Sequence, residues 1–141
     1  MGLHKFFVLF SVMMALVGAA PLRLEYAEGQ VWEYQTRASD AGSLIKIQQI
    51  ETLPDEKGKK IYHISMIGLH FRHKEVAGII VHMPVSRETL DASVTRLSSS
   101  AASFPDSTDG IKAWRDAKGG VFTISLAEIA EIADRSTSSN E

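Results

Sequence analysis

The chain has 141 residues, with 15 basic and 17 acidic side chains, five histidines, no cysteine and a net charge of −2. That balance excludes a partner recognised through phosphate charge, because nucleic-acid binders gather Lys and Arg on one face. The lack of cysteine excludes thiol catalysis, thiolate metal sites and a disulfide framework, so packing alone must hold the fold.

The chain opens Met1-Gly2-Leu3-His4-Lys5, continues without a charge from Phe6 to Ala20, and carries small residues at Gly18, Ala19 and Ala20. A basic end, a compact apolar stretch and a small-residue exit are the layout of a secretory signal. The uncharged run of 15 residues is shorter than the roughly 20 needed for a helical membrane span. An uncleaved anchor or a buried core helix is the competing reading. Val17 and Ala19 place cleavage after Ala19, giving a signal peptide over 1–19 and a single globular domain over 20–141. Cleavage removes one charged residue, Lys5, and takes the net charge from −2 to −3. The expected product is extracytoplasmic, periplasmic or secreted, with no transmembrane span after processing.

Along the domain, Trp32, Tyr34 and Thr36 alternate with Glu33, Gln35 and Arg37, the period of a half-buried strand over 30–37. Asp40 to Gly42 supply a turn, and the β-branched residues of 43–53 (Ile45, Ile47, Ile50) predict a second strand. A Pro-, Gly- and Lys-rich turn over 54–60 precedes a third strand over 60–72, with a bulge expected at Gly68. A fourth strand over 79–83 stops at Pro84. Ser86 then caps a helix carrying Leu90, Val94 and Leu97, with Val85 stapled to Leu90. Residues 98–108 read as a Ser- and Ala-rich loop, and Asp109 caps a short helix through Ile111 and Trp114 that closes at Gly119. An extended piece over 121–124 leads to a last helix, with a capping box at Ser125 and Glu128 and an apolar stripe of Leu126, Ile129, Ala130 and Ala133. The polar tail over 135–141 is expected to fray. The expected fold is α+β: an antiparallel sheet of about four strands followed by two or three helices packed on one face.

The stretch from Glu28 to Arg37, with Ser43-Leu44-Ile45 and Ile61-Tyr62-His63-Ile64-Ser65, resembles a family of small uncharacterised bacterial exported proteins. The resemblance covers about a third of the mature chain and implies one self-contained domain of bacterial origin. It implies no activity, cofactor or catalytic residue.

No catalytic signature stands out. The serines cluster in loops without a nucleophile elbow, and Gly119-Gly120 lacks the Lys-Ser or Lys-Thr of a phosphate loop. His63, His70, His73 and His82 fall within 20 residues of one another, but a zinc site needs three or four ligands in tetrahedral array. His70 and His73 point to opposite faces of a regular strand, so neither a metal nor a cofactor is assigned. Glu128 and Glu131 read as the solvated side of the last helix, with Glu131 four residues before Arg135. Most of the aromatic residues read as core. Trp114, on a short helix with Lys112, Arg115 and Asp116, is the aromatic most suited to recognition. The candidate binding residues are therefore Trp114, His63, His82 and Arg72. The preferred function is a non-catalytic binding module for a protein or envelope component, with no nucleic acid. The alternatives are a small metal-dependent or hydrolytic enzyme using the histidines of the third and fourth strands, and a ligand carrier with a pocket between sheet and helices.

Overall fold

The computed structural model describes Gly18 and residues 23–139. The expected signal sequence over 1–19 lies, apart from Gly18, outside the described residues. The chain folds as α+β, with an antiparallel sheet and helices on either side. Among the described residues the strands are β1 (Val31–Tyr34), β2 (Leu44–Thr52), β3 (Lys60–Ile67), β4 (Ile80–Val85) and β5 (Val94–Ser98), in spatial order β4-β3-β2-β1-β5. The helices are α1 (Arg87–Ser93), α2 (Thr108–Asp116) and α3 (Leu126–Ser138). None of them is long and apolar enough to cross a membrane.

The main core lies on one face of the sheet. Trp32, Tyr34, Ile45, Ile47, Tyr62, Ile64 and Met66 pack there against Leu90 of α1 and against Leu126, Ile129 and Ala130 of α3. Ile45, Ile47 and Ile64 are fully buried, which stabilises the fold by about 1.5–3 kcal/mol for each such side chain. The staple between Val85 and Leu90 has formed, with both residues fully buried. Ser86 caps α1 by accepting from the Thr89 amide, and Ser125 and Glu128 close the capping box of α3.

Five details differ from the expectation, the first being that residues 135–138, expected to fray, form the end of α3, where the Thr137 and Ser138 hydroxyls donate to the Asp134 carbonyl. The helix after Ser86 ends at Ser93, and Val94 and Leu97 belong to a fifth strand paired with β1. A spacing of four suits Leu90 and Val94 on a helix, but the β-branched Val94 and Thr95 favour extended backbone, and the outer edge of β1 offers them a hydrogen-bond ladder. The fourth strand runs through Pro84 to Val85, because β4 is an edge strand and proline removes no ladder bond on the outer side. The third strand stops at Ile67, where Gly68 turns the chain at φ +73°, a conformation that favours glycine, with the Ser43 backbone packed close against it. Finally, Ser107 and not Asp109 occupies the cap position of α2.

The helices also divide between the two faces. Whereas α1 and α3 cover the main core, α2 rests on the opposite face: Gly110 abuts His82, and Trp114 meets His63, a residue between the core-facing Tyr62 and Ile64. The loop before α2 follows it, and its Pro105 carbonyl accepts from Gln48. With both faces covered, every side chain of β3 from Ile61 to Met66 is buried.

Candidate functional site

The face beneath α2 holds a chain of polar side chains drawn from three adjacent strands. A bulge in β2 decides its composition. Ile47 pairs with Ile64 and Gln49 with His63, so Gln48 is an extra residue opposite β3. In unbroken register, Ile50 would leave the core face and Glu51 would enter it. The extra residue reverses that parity, returning Ile50 to the core and turning Glu51 toward His63. Gln48 itself donates to Ser65 and to the Pro105 carbonyl.

From this placement Glu51 Oε2 lies 2.9 Å from His63 Nε2, and His63 Nδ1 lies 2.9 Å from His82 Nε2. Arg115 of α2 donates to both Glu51 oxygens, at 3.1 and 3.4 Å. Burial would raise the Glu51 pKa, but the hydrogen bonds from His63 and Arg115 outweigh it and hold the carboxyl below its ordinary value. For His82, burial and then the neighbouring His63 lower the pKa to about 4. At neutral pH His82 is therefore uncharged and carries one ring hydrogen.

Glu51 only accepts, so His63 Nε2 donates to it, and between His63 Nδ1 and His82 Nε2 one ring nitrogen donates and the other accepts. His82 Nδ1 has no hydrogen-bonded side-chain partner among the described residues. Arg87 Nε is the one described side-chain N or O atom that is buried without a partner, so His82 Nδ1 is not closed off from solvent. The result is a short hydrogen-bonded chain running from a carboxylate to an imidazole nitrogen without a side-chain partner.

Trp114 closes this chain from above. Its ring meets His63 edge-on, with centroids 4.9 Å apart and planes at 74°. The helical spacing of Ile111, Trp114 and Arg115 turns all three toward the sheet, and Ile111 is buried there. Beyond α2, the Lys118 and Gly119 amides fold back onto the Arg115 and Trp114 carbonyls, with Lys118 at φ +50°. The indole N–H donates to the Gly120 carbonyl at 2.8 Å. A Cβ at Gly119 would lie 2.2 Å from the indole ring, so only glycine lets the ring lie flat on this turn.

Beside the indole is a groove of about 430 Å³ whose walls include Glu51, Leu53, Ile61, Trp114, Lys118 and Val121. Its volume falls within the roughly 300–1,000 Å³ common for small-molecule sites. The groove opens at the Glu51 end of the polar chain, not at the His82 end.

Of the four residues singled out from sequence, His63, His82 and Trp114 come together here and Arg72 does not. Arg72 lies on the α3 side, where its amide donates to Asp134 and its guanidinium to Glu131. Arg37 joins Asp40, Glu131 and Asp134 in the same cluster. Glu131 is therefore more than a solvated surface residue: Arg72, Arg37 and Arg135 hold its pKa at about 2. Glu51 and Arg115, which complete the histidine chain, were not anticipated, although the three-residue step from Ile47 to Ile50 marks the parity change that delivers Glu51. Among the described residues no group of three or more His, Asp and Glu side chains is arranged to hold a metal ion.

Comparison with protein-family models, with curated proteins and with solved structures finds no match to this chain.

Proposed function

We propose that the protein is an exported, non-catalytic binding module whose recognition surface is the groove beside Trp114. One observation carries this reading: an aromatic ring, fixed by a hydrogen bond to Gly120 and seated on Gly119, forms the wall of a concave site with an apolar floor and a charged rim. A protein segment or an envelope component is the partner this reading names. Export rests on the apolar leader, and the N-terminus of the mature form is then Ala20.

Envelope extract passed over immobilised mature protein tests the reading. A component retained by the native chain should be lost with Trp114→Ala and kept with Arg96→Ala, which alters an exposed pair with Glu33 on the outer strand. Equal retention by all three, or by none, overturns it. Recovery of the chain with its leader intact from cytosol overturns the export half independently.

The chain Glu51–His63–His82 favours a second reading, a small enzyme using histidine as base. A carboxylate bonded to one imidazole, itself bonded to a second imidazole that is uncharged at neutral pH, is the arrangement that supports this reading. Loss of a hydrolytic activity on His82→Gln, with folding intact, would establish this reading over the first.

A further inference from the structure

We propose that the Trp114 groove takes an amphipathic monoanion, a small molecule with one carboxylate head and an aliphatic body. This rests on the reading that the groove is the binding site, and it adds the chemistry of the occupant.

Charge accounting within the groove leads to the anion. Glu51 is satisfied by Arg115 and by His63. Glu56 is paired with Lys59 at 3.1 Å. Neither carboxylate is left to attract a cationic ligand. Lys118 also lines the groove, and among the described residues it has no ion-pair partner. The site therefore presents one uncommitted positive charge. The end of a helix ordinarily repels anions, but here the Ala113, Trp114 and Arg115 carbonyls are occupied by the amides of Ala117, Gly119 and Lys118. The same turn that caps α2 fixes the Lys118 backbone at φ +50°, so the side chain starts from a set position at the rim.

The apolar half of the ligand follows from the rest of the lining. Leu53, Ile61 and Val121 supply aliphatic walls, and Trp114 a rigid flat one. The indole N–H is already donated to Gly120, so the ring offers its apolar surface and not a hydrogen bond. An alkyl chain against these walls with its head at Lys118 satisfies both halves of the site and disturbs neither existing ion pair.

Decanoate, titrated below its micelle concentration into the mature protein, is the probe. The readout is the Trp114 indole N–H resonance, assigned by its disappearance in Trp114→Phe. The expected result is a saturable shift, with decanol and decylamine at least about tenfold weaker and Lys118→Glu weakening decanoate by about tenfold or more, where tenfold corresponds to about 1.4 kcal/mol. Because Lys118 is exposed, Lys118→Glu should keep the native thermal midpoint, so a loss of binding is not a loss of fold. Equal affinity for decanol and decanoate, indifference to Lys118→Glu, or a shift seen only with phosphatidylglycerol vesicles overturns the proposal. If decanoate fails while envelope capture still depends on Trp114, the ligand chemistry is wrong and the groove reading stands. If both fail, the groove reading falls as well.

Discussion

Two polar clusters face opposite sides of the same sheet, and they solve the problem of buried charge differently. On the α3 side, Arg37 donates to Asp40, Glu131 and Asp134, while backbone amides of His70 and Arg72 fill remaining acceptor positions on Asp40 and Asp134. Asp40 and Asp134 are nearly inaccessible, at 0% and 2% exposure, and every oxygen on them is used. This cluster ties the turn at 38–40, the loop after β3 and the end of α3 together. On the α2 side, Glu51, His63, His82 and Arg115 form a line and not a closed knot. One end opens on a groove, and the other ends in a nitrogen without a side-chain partner among the described residues. A saturated network specifies structure, whereas one with open ends can exchange protons or partners. The contrast marks the first cluster as a closed structural clamp and the second as the one with open ends.

The largest expected effect tests the first half of that contrast. Arg37→Ala leaves Asp40 and Asp134 buried beside each other's cluster without their main cation, and removing one partner of a buried pair costs about 3–5 kcal/mol. Urea denaturation should show the loss directly in the midpoint. A cost below about 1 kcal/mol would mean that the α3 cluster is as loosely held as a surface pair, and the contrast would collapse.

Acid should separate the two clusters by pH window. His82 has a folded pKa of about 4, below its ordinary 6.5, so between those values the unfolded chain binds more protons than the native one. Its contribution is therefore fully present above about pH 6.5 and is lost as pH falls through about 4. Allowing for the partial exposure of the ring, the contribution is about 1–2 kcal/mol. In the α3 cluster, Arg72, Arg37 and Arg135 depress Glu131 to about 2, so its contribution is present above the ordinary carboxylate value and is lost only as pH falls through about 2. Stability measured from pH 7 to pH 4 should decline more steeply for the native chain than for His82→Asn. Parallel curves would show that His82 titrates as a free imidazole.

How far the sequence foretold these clusters depends on where their members lie. The first four strands were legible because alternation in Trp32 and Tyr34, and β-branching in Ile45 and Ile47, act locally. Ser125 with Glu128 was legible for the same reason: a capping box is closed within four residues. The strand at Val94–Ser98 was not, since its ladder depends on β1, some 60 residues earlier, and its local spacing fits a helix equally well. The placement of α2 was hidden too. Its Ile111 and Trp114 look like any amphipathic stripe, and nothing in the helix itself says which sheet face it will cover. Arg72 was grouped with the histidines by proximity in sequence, but the turn at Gly68 carries the chain away to α3. Clusters assembled across 64 to 97 residues, as Arg115 with Glu51 and Arg37 with Asp134 are, leave no local pattern to read.

The smallest effect on stability is the most informative about the open cluster. Arg115 is 44% exposed in its side chain and bonds Glu51 from the rim, so Arg115→Ala should cost less than about 1 kcal/mol, as partly exposed ion pairs do. What should change is the charge state of the line. With the Arg115 bonds gone, Glu51 keeps only His63 against its own burial, and its carboxyl pKa must rise from its depressed position. Carboxyl NMR of Glu51 in the native chain and in Arg115→Ala measures this directly. A clear upward move at nearly unchanged stability would show that the groove end of the line can be retuned without disturbing the fold. A loss of several kcal/mol with no change at Glu51 would instead make the α2 cluster a second structural clamp, equivalent to the one around Arg37.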